Sequence, residues 1–168
     1  GNAFSSLNLG SGSLAYNPAG ICTNNSFDVS LSYNKWFGDI SNNYFGAVYK
    51  TNIGFFGISM INISTGDIEI TAPDKYDATG YYYNAQEFLF GLTYSDYFTD
   101  KLQVGITTKL IKSYLFKNFY SSSTFALDIG TIYNFSNKYT FGITLKNLGN
   151  DIKYINESSN LPTSLSIG

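Results

Sequence analysis

The stretch STFALDIGTIYNF, residues 123–135, alternates between two kinds of side chain along most of its length. One set is apolar and largely aromatic: Phe125, Leu127, Ile129, Tyr133 and Phe135. The other set is small or polar: Thr124, Ala126, Asp128, Gly130 and Asn134. Because successive side chains of a β-strand point to opposite faces, this alternation predicts a strand with one apolar face and one polar face.

The same alternation recurs along most of the chain, and no window fits the helical period of 3.6 residues better. It predicts eight strands, at residues 27–37, 43–51, 53–70, 83–95, 101–116, 123–135, 139–148 and from 163 onward. The third strand is the least regular, because Phe55 and Phe56 are adjacent and Gly57 follows them. We expect a bulge or kink at these three residues. The fold class is therefore expected to be all-β.

The connections between the predicted strands alternate in length. TAPDKYDATGYY and GNDIKYINESSNLP are long, whereas the turns at 51–52 and 136–138 are tight. In an antiparallel up-and-down arrangement, this rhythm places the short turns at one end and the long connections at the other. Outer-membrane β-barrels have this asymmetry, with the long loops outside the cell. We therefore expect residues 72–82 and 149–162 to lie outside the cell.

Composition leaves two architectures open. Aromatic residues make up 18% of the chain and charged residues only 13%, yet no apolar run approaches the roughly 20 residues that a membrane-spanning helix requires. The chain is then either a β-barrel in lipid, with its aromatic face outward, or a soluble β-sandwich with that face in its core. The connection lengths favour the barrel.

Several classes of function are disfavoured by the residues that the chain contains. Histidine is absent and Cys22 is the single cysteine, which excludes Ser-His-Asp and Cys-His systems and ordinary zinc sites within the chain. The ten lysines are scattered and there is no arginine, so no basic patch follows a phosphate backbone. We expect no catalytic residue, no metal, no cofactor and no nucleic-acid partner.

Charged residues on the predicted polar faces are candidates for the lining of a barrel interior. Asp128 lies in the middle of its strand and could pair with Lys109 or with Lys146 on other strands. Alternatively, these three charges only keep the interior hydrated. On the strand of Asp128, Ile129 is expected to face lipid, so that Ile129→Lys impairs insertion, whereas Gly130→Ser on the polar face is mild.

The N-terminal stretch GNAFSSLNLGSGSLAYNPAGI, residues 1–21, resembles the start of the PorV/PorQ-type outer-membrane proteins, relatives of the FadL long-chain fatty-acid transporters. LQVGITTKLIKSYL, STFALDIGTIYNF and FGITLKNLGNDIKYINESSNLPTSLSIG resemble later segments of that family in the same order. The resemblance implies a barrel of about fourteen strands. Residues 27–168 would then form an incomplete antiparallel up-and-down barrel, with eight of those strands.

The resemblance also gives residues 1–26 a role, as a hatch inside the barrel. Asn17, Pro18, Ala19 and Gly20 would form its bend. Proline fixes its own φ and restricts the residue before it, and glycine tolerates a positive φ, so this tetrapeptide also predicts a bend on physical grounds.

Three functions stay open. The first is passive transport of hydrophobic small molecules across the bacterial outer membrane, past the hatch and out through the kink at residues 55–57, with membrane lipid as the surrounding partner. The second is a non-channel component of a type IX-like secretion or surface-attachment system that binds exported proteins. The third is a soluble binding or adhesion module with a β-sandwich fold.

Overall fold

The computed structural model describes residues 2–71, 80–115, 120–136, 138–154 and 157–168. Short 3-10 helices come first, at Asn2–Ser6, Gly10–Ala15 and Pro18–Ile21. The strands of these ranges are β1 Phe27–Lys35, β2 Ile40–Thr51, β3 Gly54–Thr65, β4 Ile68–Glu69, β5 Tyr82–Tyr83, β6 Ala85–Tyr97, β7 Leu102–Leu115, β8 Tyr120–Ser136, β9 Tyr139–Gly149, β10 Ile152–Tyr154, β11 Glu157–Ser159 and β12 Ser164–Ile167.

Eight of these strands form one antiparallel sheet in the order β1-β2-β3-β6-β7-β8-β9-β12. Each strand pairs with its neighbour in the chain, while β4–β5 and β10–β11 are small hairpins within the two long connections. The predicted all-β class is confirmed, and so is the antiparallel meander. Among the described strands, β1 and β12 each pair on one side only, so this sheet is not closed.

The eight main strands match the eight predicted ones, with differences at their ends. β3 ends at Thr65 rather than at residue 70, because Ile68–Glu69 turns away to pair with Tyr82–Tyr83. β2 begins earlier than predicted, since Ile40 continues the ladder by pairing with Thr65. Residue 116 and parts of the expected connections 72–82, 136–138 and 149–162 lie outside the described residues.

The bulge expected at Phe55, Phe56 and Gly57 is not there. β3 pairs residue for residue with β2 and with β6 through this stretch, without a register shift. Gly57 has another reason to be a glycine: a Cβ atom at this position would lie 2.5 Å from the Leu14 side chain, which packs against the sheet there. The small residue serves a close contact and does not interrupt the strand.

The two faces of the sheet have opposite character. We call the face that carries Phe125 and Ile129 the outer face; these side chains are 69% and 43% exposed. The inner face carries Asp128, which is 6% exposed, and Gly130, which is buried. A water-soluble sheet buries its apolar face and hydrates its polar face, so this sheet has the reverse arrangement.

The strand register lines up apolar side chains in rows across the outer face. One such row crosses six strands and consists of Leu31, Phe45, Met60, Phe90, Leu110 and Phe125. The next row, toward the end of the sheet with the long connections, is mixed and contains Tyr33, Asn43, Asn62, Phe88, Lys112 and Ser123. The apolar band of the outer face therefore has a polar border on that side.

Candidate functional site

Residues 2–22, here called the N-terminal segment, lie across the inner face of the sheet. The helix Asn2–Ser6 contacts β8, β9 and β12. The helix Gly10–Ala15 contacts β1, β2 and β3, and the helix Pro18–Ile21 contacts β6, β7 and β8. All eight strands of the large sheet thus touch one short stretch of chain.

Contacts at the two ends of one short helix show that the sheet curves around this segment. Lys146 on β9 donates to the carbonyl oxygen of Ala15 at 2.8 Å, and Ser11 donates to Asp28 on β1 at 2.8 Å. In a flat sheet, β1 and β9 would be roughly 29 Å apart, at about 4.8 Å per strand. Ser11 and Ala15 are only about 8 Å apart along a 3-10 helix, so the inner face is concave.

Glycines of the inner face allow the close approach of the segment. A side chain at Gly105 would meet the backbone of Pro18, and one at Gly130 would overlap the Asn17 side chain. One at Gly142 would overlap the backbone of Ser5. The structure therefore contradicts the expectation that Gly130→Ser is mild: Gly130 contacts the segment, not open water.

The Asn17–Gly20 element is buried as a unit and holds the segment to the wall. Asn17 caps the helix Pro18–Ile21 by accepting from the backbone N–H of Ala19 at 3.0 Å. Its amide donates to the carbonyl oxygens of Ser5 at 2.6 Å and Thr131 at 3.1 Å. Pro18 suits the first helical position, where no N–H partner is needed.

The last residue of this element is a glycine for a different reason from the expected one. Gly20 has no positive φ. A Cβ atom there would instead lie 2.7 Å from the carbonyl oxygen of Leu7 and 2.5 Å from the Ser13 hydroxyl. The chain folds back on itself at that point, and the bend depends on the absence of a side chain.

The three charged candidates lie on the inner face, but only two of them form a pair. Lys109 Nζ lies 2.6 Å from Asp128 Oδ1, and both side chains are only 8% exposed. Lys109 also donates to the side-chain oxygen of Asn147. Lys146 binds the N-terminal segment instead, with its ammonium group 5.7 Å from the centre of the Tyr16 ring.

A β-bulge in β9, which the sequence pattern had not predicted, completes this charged cluster. Two β9 residues, Lys146 and Asn147, lie opposite the single residue Asp128. Asn147 has a φ of 59°, and its N–H donates to Asp128 Oδ1 at 2.8 Å. The sequence does contain a sign of this bulge, because the three-residue spacing of Leu145 and Leu148 breaks the alternation. Asparagine between them tolerates a positive φ.

The connection between β9 and β12 also folds over the inner face, and no sequence pattern had indicated this. Leu161 and Ile152 pack with Ile111, Ala126 and Leu89 near the end of the sheet with the long connections. The hydroxyl of Thr124 donates to the carbonyl oxygen of Asn150 at 2.8 Å and anchors the start of the connection. The N-terminal segment and this connection therefore each cover a part of the concave inner face.

Cys22 belongs to an apolar cluster between the N-terminal segment and the sheet. The other members are Leu14 and Ile21 of the segment and Val48 and Phe55 of the sheet. Its sulfur lies 3.1 Å from the Ser95 hydroxyl. Burial raises the pKa of the Cys22 thiol to about 11, which outweighs the smaller lowering by the Ser95 hydrogen bond. Cys22 therefore acts as a small apolar side chain that packs the segment against the sheet.

This position predicts an unreactive thiol. Because the thiolate is the reacting form and a thiol with a pKa of about 11 is almost entirely neutral at pH 8, maleimide labelling of the folded protein at pH 8 is expected to be far slower than after unfolding. Mass spectrometry measures the rate, and Cys22→Ala/Asn24→Cys, with an exposed thiol, is the control. Equal rates for the two proteins would contradict the burial of Cys22.

No known protein-family model matches this sequence, and no curated protein matches it either. Within the described ranges, no helix has the length and apolar character needed to cross a membrane. Nor do the described residues include a group of three or more cysteine, aspartate or glutamate side chains placed to hold a metal ion. What the described chain offers is a curved wall whose inner face is polar and covered.

Proposed function

We propose that the eight-stranded sheet is part of the wall of an outer-membrane β-barrel that conducts hydrophobic small molecules passively, with residues 1–26 as its hatch. The observation that carries the proposal is the exposed apolar face beside a covered polar face. In lipid, an apolar exterior is stabilised and a polar interior can hold water or a plug. A soluble β-sandwich would bury the apolar rows instead.

The dimensions of the apolar band support this environment. On β8, the outer apolar side chains extend from Phe125 to Phe135. Ten residues span roughly 33 Å along a strand, or about 25 Å along the membrane normal at a tilt of ~40°. That height equals the apolar band of known outer-membrane barrels. Aromatic side chains at the short-turn end supply one belt: Phe27, Tyr49, Phe98 and Tyr139.

The unpaired edges of β1 and β12 set a requirement for this proposal. An open strand edge exposes N–H and C=O groups that lipid cannot satisfy. In the membrane, both of these edges must therefore be paired. The inner cover, formed by the N-terminal segment and the β9–β12 connection, then fits a barrel that is closed at rest and opens for its substrate.

A lysine on the outer face tests the lipid environment. Ile129 lies near the middle of the apolar band, so Ile129→Lys is expected to destabilise the inserted protein by about 2–4 kcal/mol. Ser121→Lys, on the same face of β8 but at its end, should cost less than about 1 kcal/mol. Folding titrations into lipid vesicles measure both. Equal tolerance of the two lysines would argue for a soluble sheet.

Two further measurements test the barrel and the transport separately. A membrane barrel should migrate differently before and after boiling in detergent gels. Expression in intact cells should speed uptake of 1-N-phenylnaphthylamine, a hydrophobic dye, relative to cells without the protein. Heat-modifiable migration with unchanged uptake would keep the barrel and reject the passive transport of hydrophobic molecules.

A further inference from the structure

A cavity of about 320 Å³ lies on the inner face, between the N-terminal segment and the end with the long connections. One wall is formed by the inward side chains of β1, namely Ser30, Ser32 and Asn34. Asn42 and Tyr44 of β2 form the adjoining wall, and Tyr16 of the segment lies at the base. The volume is at the lower end of the range for small-molecule sites.

The hydrogen-bonding groups of this cavity have spare capacity. Asn34 donates to the Ser32 hydroxyl at 2.9 Å, so the hydroxyl proton and the side-chain oxygen of Asn34 stay available. A bound molecule with hydroxyl groups can accept the first and donate to the second.

The chemistry of the lining selects a class of ligand. Its hydrogen-bonding side chains are serine hydroxyls and asparagine amides, which both donate and accept, and no charged residue lines the cavity. Tyr16, Tyr44 and Ile61 add apolar surface. We propose that this cavity is a binding site for a neutral polyhydroxylated ring, a single sugar unit. A charged ligand finds no counter-ion here, and an aliphatic chain would leave the amides unpaired.

The position of the cavity gives the site a direction. β1 proceeds from Ser30 to Asn34 toward the end with the long connections, so these lining residues lie between the N-terminal segment and that end. In the orientation of the proposed barrel this is the cell exterior, and only that direction rests on the proposed function. Binding itself requires the cavity alone.

Saturation-transfer NMR on the purified protein in lauryldimethylamine oxide, a detergent without a sugar headgroup, tests the site. The probes are methyl β-glucoside and methyl β-galactoside, with cyclohexanol as an apolar ring of similar size. At least one glycoside should receive saturation, and cyclohexanol much less. Asn34→Ala and Ser32→Ala should each weaken glycoside binding about tenfold, as expected for one lost hydrogen bond. Ser121→Ala, outside the cavity, is the matched control.

Different results overturn different statements. No transfer to either glycoside, or equal transfer in Ser32→Ala and in the unmodified protein, would mean that the cavity holds only water and would overturn the site. Stronger binding of cyclohexanol would overturn the polar class of ligand. Ser32 and Asn34 are exposed side chains on a strand surface, so neither substitution should prevent folding. The dye-uptake experiment tests the proposed transport, and its outcome has no bearing on whether a glycoside binds in the cavity.

Discussion

Replacing Asp128 by alanine is expected to lower the free energy of unfolding by about 3–5 kcal/mol, since removal of one partner leaves a buried charge uncompensated. The Lys109 ammonium group, 2.6 Å from Asp128, is only 8% exposed. Asp128 also accepts the N–H of Asn147 at the bulge, so the variant loses a second contact. Urea unfolding of the protein in detergent or vesicles measures the change.

Two variants separate the buried charge from the loss of any ion pair. Lys109→Met/Asp128→Leu removes both charges and should recover the part of the loss that comes from the unpaired charge, because apolar side chains can replace a buried pair. The N–H of Asn147 lacks its acceptor in both variants. Lys35→Ala breaks the surface pair with Asp39, whose side chains are 59% and 75% exposed. That change should leave the stability almost unchanged, because solvent screens an exposed pair. A loss for Asp128→Ala no larger than for Lys35→Ala would contradict the buried pair.

Deletion of residues 1–26 is expected to convert a closed barrel into an open one, the largest functional change that the proposed hatch predicts. The strands of the large sheet all begin after residue 26, so insertion should continue. Conductance of small solutes in planar bilayers should rise strongly, because the segment that covers all eight strands is gone.

A single substitution should act in the same direction but more weakly. Asn17→Ala removes donors to Ser5 and Thr131 and the cap on Ala19. Each buried carbonyl left without a partner costs about 1–3 kcal/mol, so the segment should detach more often. Gly12→Ala, where an added Cβ meets only ordinary contacts, is the control. Unchanged conductance after the deletion, with insertion intact, would exclude the hatch.

Features that depend on alternation could be predicted from the sequence. The strand around Asp128 has both of its faces in the order that STFALDIGTIYNF indicates, because the pleat assigns faces by a period of two. The meander followed from short and long connections in turn. The prediction of a bulge or kink at Gly57 failed because it considered only neighbouring residues. A glycine is needed there because Leu14, 43 positions earlier in the chain, packs against it.

The candidate site was predictable only in its membership. Lys109, Asp128 and Lys146 were expected on the inner face, but pairing depends on the bulge at Asn147, which changes the direction of side chains on β9. The choice of Lys109 over Lys146 follows from that geometry and from the competing carbonyl of Ala15. The cavity beside Asn42 and the inward fold at Leu161 are products of long-range packing, which no local pattern encodes.

The docking of the N-terminal segment has a consequence for the order of folding. Its bonds to the wall close long stretches of chain: Asn17 to Thr131 spans 114 positions, and Lys146 to Ala15 spans 131. Pairing of adjacent strands closes short loops, whereas such distant contacts carry a larger entropic cost and slow folding. The hairpins should therefore assemble first. The N-terminal segment is synthesised before the strands that it contacts, yet it would dock last, and until then it stays available to proteases and to chaperones.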